Sequence, residues 1–268
     1  SGRPVSPECS AGIQMTSSPL AAVRRLSRAF YWSILIRAGL RREPPLRALP
    51  AILHPGDIAI DVGADVGVWT AAMSRLVGPA GKVVSFEPNI ESFQALARIV
   101  FFLRLSNVSL EPLALGDISG DAHLLTPLAP NGKPLHPYSR VTHCLGHIES
   151  HTRSQPIRMT TLQQYALDHK LGRIAFIKID IEGYELPMLR AAESLLRQDH
   201  PALLLEIESR HTRCFGYVPE TLVEYLAVLG YRMFTVLTTG ALRPAPGVEL
   251  AERDYVFRHS CRFSGSAE

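Results

Sequence analysis

The run Ile58-Ala-Ile-Asp61-Val-Gly63-Ala-Asp65-Val-Gly67, followed by Trp69, Ala72, Met73, Leu76 and Val77, decides the fold. Its apolar start predicts a short buried strand and its glycines a tight turn. The later apolar residues, three and four apart, predict a helix. Gly78-Pro-Ala-Gly81 ends that helix, and Lys82-Val-Val-Ser-Phe86 predicts a second strand that stops at Glu87-Pro-Asn89. Phe93, Leu96, Val100 and Leu103 then give a second helix. Strand and helix alternating in this way call for a parallel sheet with right-handed crossovers.

The alternation continues downstream. Val108 to Leu115 predicts a third strand, Leu162, Tyr165 and Ala166 mark a helix, and Ile174-Ala-Phe-Ile-Lys-Ile179 is an apolar strand ending at Asp180-Ile-Glu182-Gly183. Leu186, Leu189, Ala192, Leu195 and Leu196 predict one helix, with Pro187 tolerated in its first turn. Ala202–Leu205 is another buried strand, ending at Glu206-Ile-Glu208, and Pro219 to Leu229 a helix stopped by Gly230. Tyr231–Val236 and Tyr255–Phe257 pair as a closing antiparallel hairpin. The expected architecture is therefore α/β and Rossmann-like, with a mostly parallel sheet. From Ile118 to Pro156 the composition turns to Gly, Pro, Ser, His and Thr, which predicts an irregular insert at 118–156 of the kind that serves as a lid or binding loop.

At 268 residues with 46% hydrophobic composition, the chain can bury one sizeable core, and the main domain is expected at 51–260 with a tail at 261–268. Residues 1–18, rich in Ser, Pro and Gly, are expected to be a disordered leader. Residues 19–50 form an N-terminal helical extension. There Leu20, Val23, Leu26, Phe30, Ile34, Leu35 and Ala38 make an apolar stripe, expected to pack on the domain, with a membrane-surface helix as the alternative. A net charge of +3 is too small to draw in nucleic acid by long-range electrostatics alone. Cys9, Cys144, Cys214 and Cys261 lack paired spacing, which suits a reducing, cytoplasmic setting. No segment reaches the ~18 apolar residues of a membrane span.

In an open parallel sheet, ligands bind beyond the carboxyl ends of the strands. Those ends here are acidic in succession: Asp61, Glu87, Asp117, Asp180 with Glu182, and Glu206 with Glu208. One such end is an ordinary helix cap or solvated turn; a series of them converging on one edge makes a ligand cleft. Gly63 and Gly67 let a ligand approach the backbone at a helix N-terminus. The pattern is D-x-G-x-x-x-G rather than the dinucleotide G-x-G-x-x-G. Glu87 ends the second strand where a carboxylate can accept both ribose hydroxyls. His143, His147 and His151, four apart, would share a helical face and could hold a metal, but Gly146 favours a solvated loop, in which one of them could still act as a base.

Four motifs, Asp61-Val-Gly-Ala-Asp-Val-Gly67, Phe86-Glu-Pro-Asn89, Ala114-Leu-Gly-Asp117 and Phe176-Ile-Lys-Ile-Asp-Ile-Glu-Gly183, resemble those of FkbM-type S-adenosylmethionine-dependent methyltransferases over about residues 54–236. The resemblance implies a seven-stranded methyltransferase fold and O-methylation of a hydroxyl on a sugar, glycolipid or polyketide-type metabolite of secondary metabolism. By position it implies that Asp61, Gly63, Ala64 and Gly67 line the methionine and ribose end of the cofactor, Glu87 and Pro88 the ribose, and Asp117 the adenine.

Alternation along the strand sends Lys178, Asp180 and Glu182 to one side, and three charges on a buried face must compensate one another or open into a cleft. They are the candidate catalytic residues. Asp180 could take the acceptor proton, or hold a divalent metal such as Mg with Glu206 and Glu208. The alternatives are a nicotinamide-dependent oxidoreductase and a catalytically silent cofactor-binding domain. The expected partner is a small-molecule hydroxyl acceptor rather than nucleic acid.

Overall fold

The computed structural model describes residues 31, 33–35, 44–135, 139–142, 151–245 and 253–262. The leader 1–18, most of the 19–40 stripe, His143 and His147 lie outside the described residues. Tyr31 and Ser33 to Leu35 are helical, with Ser33 buried and Ile34 exposed. No helix among the described residues is long and apolar enough to cross a membrane.

The strands are β1 (Ile58–Val62), β2 (Lys82–Phe86), β3 (Val108–Glu111), β4 (Leu113–Leu115), β5 (Gly120–Pro127), β6 (Arg140–Thr142), β7 (Thr152–Thr160), β8 (Ile174–Ile179), β9 (Ala202–Glu206), β10 (Tyr231–Val236), β11 (Leu242–Pro244) and β12 (Asp254–His259). Helices α1 (Pro44–Ala48), α2 (Val68–Val77), α3 (Ile90–Leu103), α4 (Leu162–Asp168), α5 (Glu185–Ala191), α6 (Glu193–Asp199), α7 (Ser209–Thr212) and α8 (Pro219–Val228) connect them. Eight strands form the main sheet in the order β11-β10-β12-β9-β8-β1-β2-β3. Those from β9 to β3 pair in parallel, while β12 runs antiparallel between β9 and β10.

Alternation along these strands divides the core in two. Ile60, Val62, Phe86, Ile177, Ile179, Leu203 and Leu205 bury against residues of α4, α5, α6 and α8 on one face. On the other face Ala59, Val83, Phe176, Leu204 and Val256 bury against α1 and α2. The chain winds outward from β1 through β2 to β3, and outward the other way from β8 to β9. The switch point thus falls between β1 and β8, where such sheets bind ligands.

The sheet differs from the expected seven strands. β11 adds an eighth by pairing with β10. The expected third strand is cut at Pro112, which has no N–H to give a ladder, and β4 beyond it joins another sheet. The expected single helix after β8 is two, broken at Ala192.

The segment expected to be irregular carries most of that second sheet, of order β4-β7-β5-β6. β5 and β7 pair antiparallel along their length, from Gly120 opposite Met159 to Pro127 opposite Thr152. Buried Ala122, Leu124, Ile157 and Met159 alternate with exposed or half-buried residues and pack with Ala114, Val141 and Tyr184. This sheet stands over the carboxyl ends of the main one, supplying the far wall of the cavity described next.

Candidate active site

The strand ends enclose a cavity of about 270 Å³. Gly63 and Asp65 after β1, Glu87 and Pro88 after β2, Asp180 and Glu182 after β8, and Glu206 and Glu208 after β9 all line it. Leu124, Ser139 and Val141 close the side facing the second sheet.

At the β1–β2 end, Gly63 sits at φ 74°, and a Cβ there would stand 2.0 Å from the carbonyl oxygen of Asp180. Only glycine brings the β1 and β8 turns this close. Glu87 is buried, and each carboxylate oxygen accepts one backbone hydrogen bond, Oε2 from Asp65 N and Oε1 from Asn89 N, both at 2.8 Å. A carboxylate has about four acceptor sites, so each oxygen keeps capacity for a ligand hydroxyl. Burial lifts Glu87 to about 7, against those two N–H bonds. Asn89 caps α3 by accepting from Glu91 N and Ser92 N, and Ser92 Oγ donates to Asp65 Oδ1 at 3.1 Å. An apolar slot opens beside this end, walled by Phe86, Leu113, Leu115, Ile181 and Tyr184 and sharing Gly63, Pro88 and Val141 with the main cavity.

Beneath the floor lies a charged column. The β1–β8 register sets Asp61 beside Lys178. Lys178 is buried, and its Nζ donates to Gly63 O at 3.0 Å and Asp180 Oδ2 at 3.2 Å and lies 3.9 Å from Asp61 Oδ1. Burial alone would lower Lys178, yet Asp180 and Asp61 hold it above the ordinary lysine value. Asp61 is fully buried, and its Oδ2 accepts from Thr70 Oγ1 at 2.6 Å. Burial raises Asp61, against the pull of Lys178.

At the β8–β9 end, burial works to raise Asp180, but Lys178 and a hydrogen bond from Glu206 carry it below the ordinary value. Glu206 moves the other way, lifted to about 9 by burial and then by Asp180, so at neutral pH it donates to the Asp180 carboxylate. Glu182, at φ 58°, meets His211 of α7: His211 Nδ1 lies 2.6 Å from Glu182 Oε2. Burial and then Asp180 raise Glu182 to about 8, while burial and then Arg210 lower His211. Buried Glu185 ties this turn down by accepting from Ile181 N and Gly183 N.

Of the residues picked from sequence, Gly63, Glu87, Pro88, Asp180, Glu182, Glu206 and Glu208 line the cavity. Asp61, Ala64, Gly67, Lys178 and Asp117 do not line it. Asp61 and Lys178 brace its floor, buried Ala64 donates its N–H to Phe86 O, and Gly67 caps α2. Asp117 accepts from Tyr184 OH at 2.7 Å, beside the apolar slot. The metal set is not assembled: Arg210 and Arg253 pair with Glu208, and Glu206 is tied to Asp180. Among the described residues one trio of metal-binding side chains has its ligand atoms within 4.8 Å of one another, and it lies elsewhere. The sequence inspection overlooked His211, Arg210 and Arg253. His211 was discoverable, since it follows the acidic end of β9 in the run Glu206-Ile-Glu-Ser-Arg-His211.

Fold and site together are those of a methyltransferase-type α/β domain, a doubly wound sheet with its cleft at the switch point. The model of the methyltransferase FkbM domain matches residues 61–233, and the chain belongs to that family. This sets aside the nicotinamide-dependent oxidoreductase. Among solved structures, the methyltransferase FkbM from Methylobacillus flagellatus is similar at 16% identity over 76% of this chain and 44% of that one, with a TM-score of 0.48. This chain therefore spans less than half of that protein. A SAM-dependent methyltransferase from Aquifex aeolicus is similar at 17% identity over 87% of this chain and 97% of that one (TM-score 0.43). An rRNA methylase from Streptococcus thermophilus follows at 13% over 79% and 90% (TM-score 0.44). No curated protein matches the chain.

Proposed function

We propose that the chain is an S-adenosylmethionine-dependent O-methyltransferase acting on a hydroxyl of a small molecule such as a sugar, glycolipid or polyketide-type metabolite. One observation supports this: a single cavity is lined at one end by the buried strand-end carboxylate Glu87 and at the other by Glu182 and His211, 2.6 Å apart. The residues fit the cofactor. Glu87 has acceptor capacity for two ribose hydroxyls, and Gly63 lines the same cavity.

When bound, the cofactor supplies an electrophilic methyl group on a sulfonium. This chain's residues do the rest. Asp65 and Asp180 place negative charge along the cavity floor, favouring a cationic ligand. The acceptor hydroxyl must lose its proton as its oxygen bonds to the methyl carbon, and the His211–Glu182 pair receives it. Asp180, held ionised by Lys178 and Glu206, is a weak base and acts through its charge. Glu208 is not placed to hold a metal with Asp180, because its oxygens are already paired with arginines. A net charge of +3 is too small to draw in nucleic acid by long-range electrostatics alone.

The test is His211→Gln, assayed by calorimetric titration with S-adenosylhomocysteine and by transfer of labelled methyl to a panel of hydroxylated metabolites. Affinity for S-adenosylhomocysteine should persist while transfer falls by at least ~100-fold. Wild-type transfer by the variant, or no binding of S-adenosylhomocysteine by the wild-type chain, would overturn the proposal.

A further inference from the structure

At the end of the main sheet away from the cavity, two segments distant in sequence meet. His200 caps α6 just before β9 begins, while His259 ends the antiparallel β12 and Cys261 follows in a single helical turn. Arg262 Nη2 donates to Asp199 O at 2.8 Å, and the Asp199 carboxylate accepts from Ile174 N at 2.8 Å, so the segments are clamped at fixed separation. His200 occupies left-handed backbone at φ 48°, a conformation unfavourable for a non-glycine residue.

The side chains converge. Cys261 Sγ lies 2.9 Å from His259 Nδ1 and 3.3 Å from His200 Nδ1. The two imidazoles stack with centroids 3.8 Å apart, and Tyr231 packs edge-on against His259 at 5.2 Å. A Cβ on Gly230 would stand 2.7 Å from His259 Nε2, so the ring fits only against glycine. His259 also hydrogen-bonds the Leu229 backbone. With Nδ1 turned to Cys261, that bond belongs to Nε2–H, and Nδ1, which also accepts from Cys261 N at 3.3 Å, faces the sulfur. An imidazole oriented by a backbone carbonyl through its far nitrogen is the outer-shell arrangement of metal-binding histidines.

A cation seated among the three atoms, with the sulfur as thiolate, satisfies all of them. In tetrahedral zinc sites, Zn–S near 2.3 Å and Zn–N near 2.0–2.1 Å imply N···S edges of about 3.6 Å, so ligation would open the 3.3 Å edge by about 0.3 Å and the 2.9 Å edge by about 0.7 Å. Two imidazoles and a thiolate without a carboxylate select zinc over magnesium or calcium. The adjoining cavity of about 250 Å³, lined by His54, Asp57, Arg173, Arg258 and Arg262, opposes a hard cation held by charge alone and gives solvent or an anion access to a fourth position.

We propose that His200, His259 and Cys261 form a zinc site that clips the end of the last strand to the turn before β9, separate from the methyltransferase cavity. The test is titration of the chelator-stripped full chain with Co(II) and then Zn(II). One equivalent of Co(II) should give a near-ultraviolet sulfur-to-cobalt charge-transfer band that Zn(II) bleaches. Zn(II) should also raise the melting temperature, as binding to the folded state alone requires. Cys261→Ser and His259→Ala should each weaken affinity by at least ~100-fold, beyond the effect of losing an outer-shell partner. Cys214→Ser, at the other free thiol among the described residues, should leave binding unchanged. If Cys261→Ser does not fold, His200→Asn, which tolerates left-handed backbone, takes its place. Absence of the band in the wild-type chain, or its persistence in these variants, would overturn the site.

Discussion

Replacing Lys178 with methionine isolates what holds the charged floor together. The ammonium is 6% exposed and is the cation that faces both Asp61, 0% exposed, and Asp180. Asp61 Oδ1 has no hydrogen-bond partner, so the attraction of Lys178 at 3.9 Å is its main compensation. Methionine keeps the volume and leaves one wholly buried carboxylate and one cavity-side carboxylate without a counter-charge. Breaking a buried pair from one side costs about 3–5 kcal/mol. Against a total stability of roughly 5–15 kcal/mol, this is a severe loss, and at about 2–4 °C per kcal/mol it lowers the melting temperature by roughly 6–20 °C. Asp61 is already raised by burial, and losing Lys178 raises it further. The penalty therefore shrinks as the pH falls and Asp61 takes up a proton. Lys178→Met and Lys178→Met with Asp61→Asn should be compared by thermal and denaturant unfolding; the second change removes the stranded charge and recovers part of the loss, as coupled neighbours do. A loss under ~1 kcal/mol in the single variant, or no recovery in the double, would refute the reasoning.

Glu87→Gln retains one acceptor oxygen for the backbone N–H groups of Asp65 and Asn89 but loses a charged acceptor for the ribose. Affinity for S-adenosylhomocysteine, measured calorimetrically, should fall by ~1–3 kcal/mol, and an unchanged value would remove Glu87 from the cofactor site. The pH dependence of stability should run opposite to ordinary acid denaturation. Folding raises Glu87 and Glu185 to about 7, Glu182 to about 8 and Glu206 to about 9 from 4.5, so between those limits the folded chain holds protons that the unfolded chain has released. Stability therefore falls as pH rises from about 5 to about 9. Asp180 is lowered, so its contribution disappears only below its ordinary value of 3.8, outside this window. Scanning calorimetry on the ligand-free chain should show the decline, and Glu206→Gln should flatten its upper part; a melting temperature level from pH 5 to 9 would contradict the burial argument.

The main sheet was legible because its strands are continuous apolar runs ending in acidic residues, the pattern of strands covered on both faces. The second sheet was not, since β5 and β7 bury only alternate residues, as in Ala122, Leu124 and Thr126, amid Gly, Pro, His and Ser. Half-buried strands of that kind resemble loops in composition and differ from them only in period. The break at Pro112 was visible, but its effect, sending β4 to another sheet, depends on β7, about 40 residues away in sequence. Within the site, position in a motif identified which carboxylates gather at the switch point but not their roles. Asp61 and Asp180 both end strands, yet one is sealed under Thr70 and Lys178 while the other faces the cavity. That difference arises from side-chain depth across β1 and β8, which no single stretch of sequence encodes.

The depth of these groups also explains why so many buried acids persist in one small volume. Lys178 balances one of Asp61 and Asp180, and Glu206 stays protonated against Asp180, so the floor carries a single excess negative charge rather than three. Arg210 and Arg253, both exposed, pair with the largely buried Glu208 from the rim. The excess charge thus lies at Asp180, in the same cavity as His211 and Glu182, where it would favour a cationic methyl donor. On this account the acids lower the stability of the empty chain and favour its loaded form, so S-adenosylhomocysteine, which lacks the sulfonium charge, should bind through Glu87 rather than through the floor.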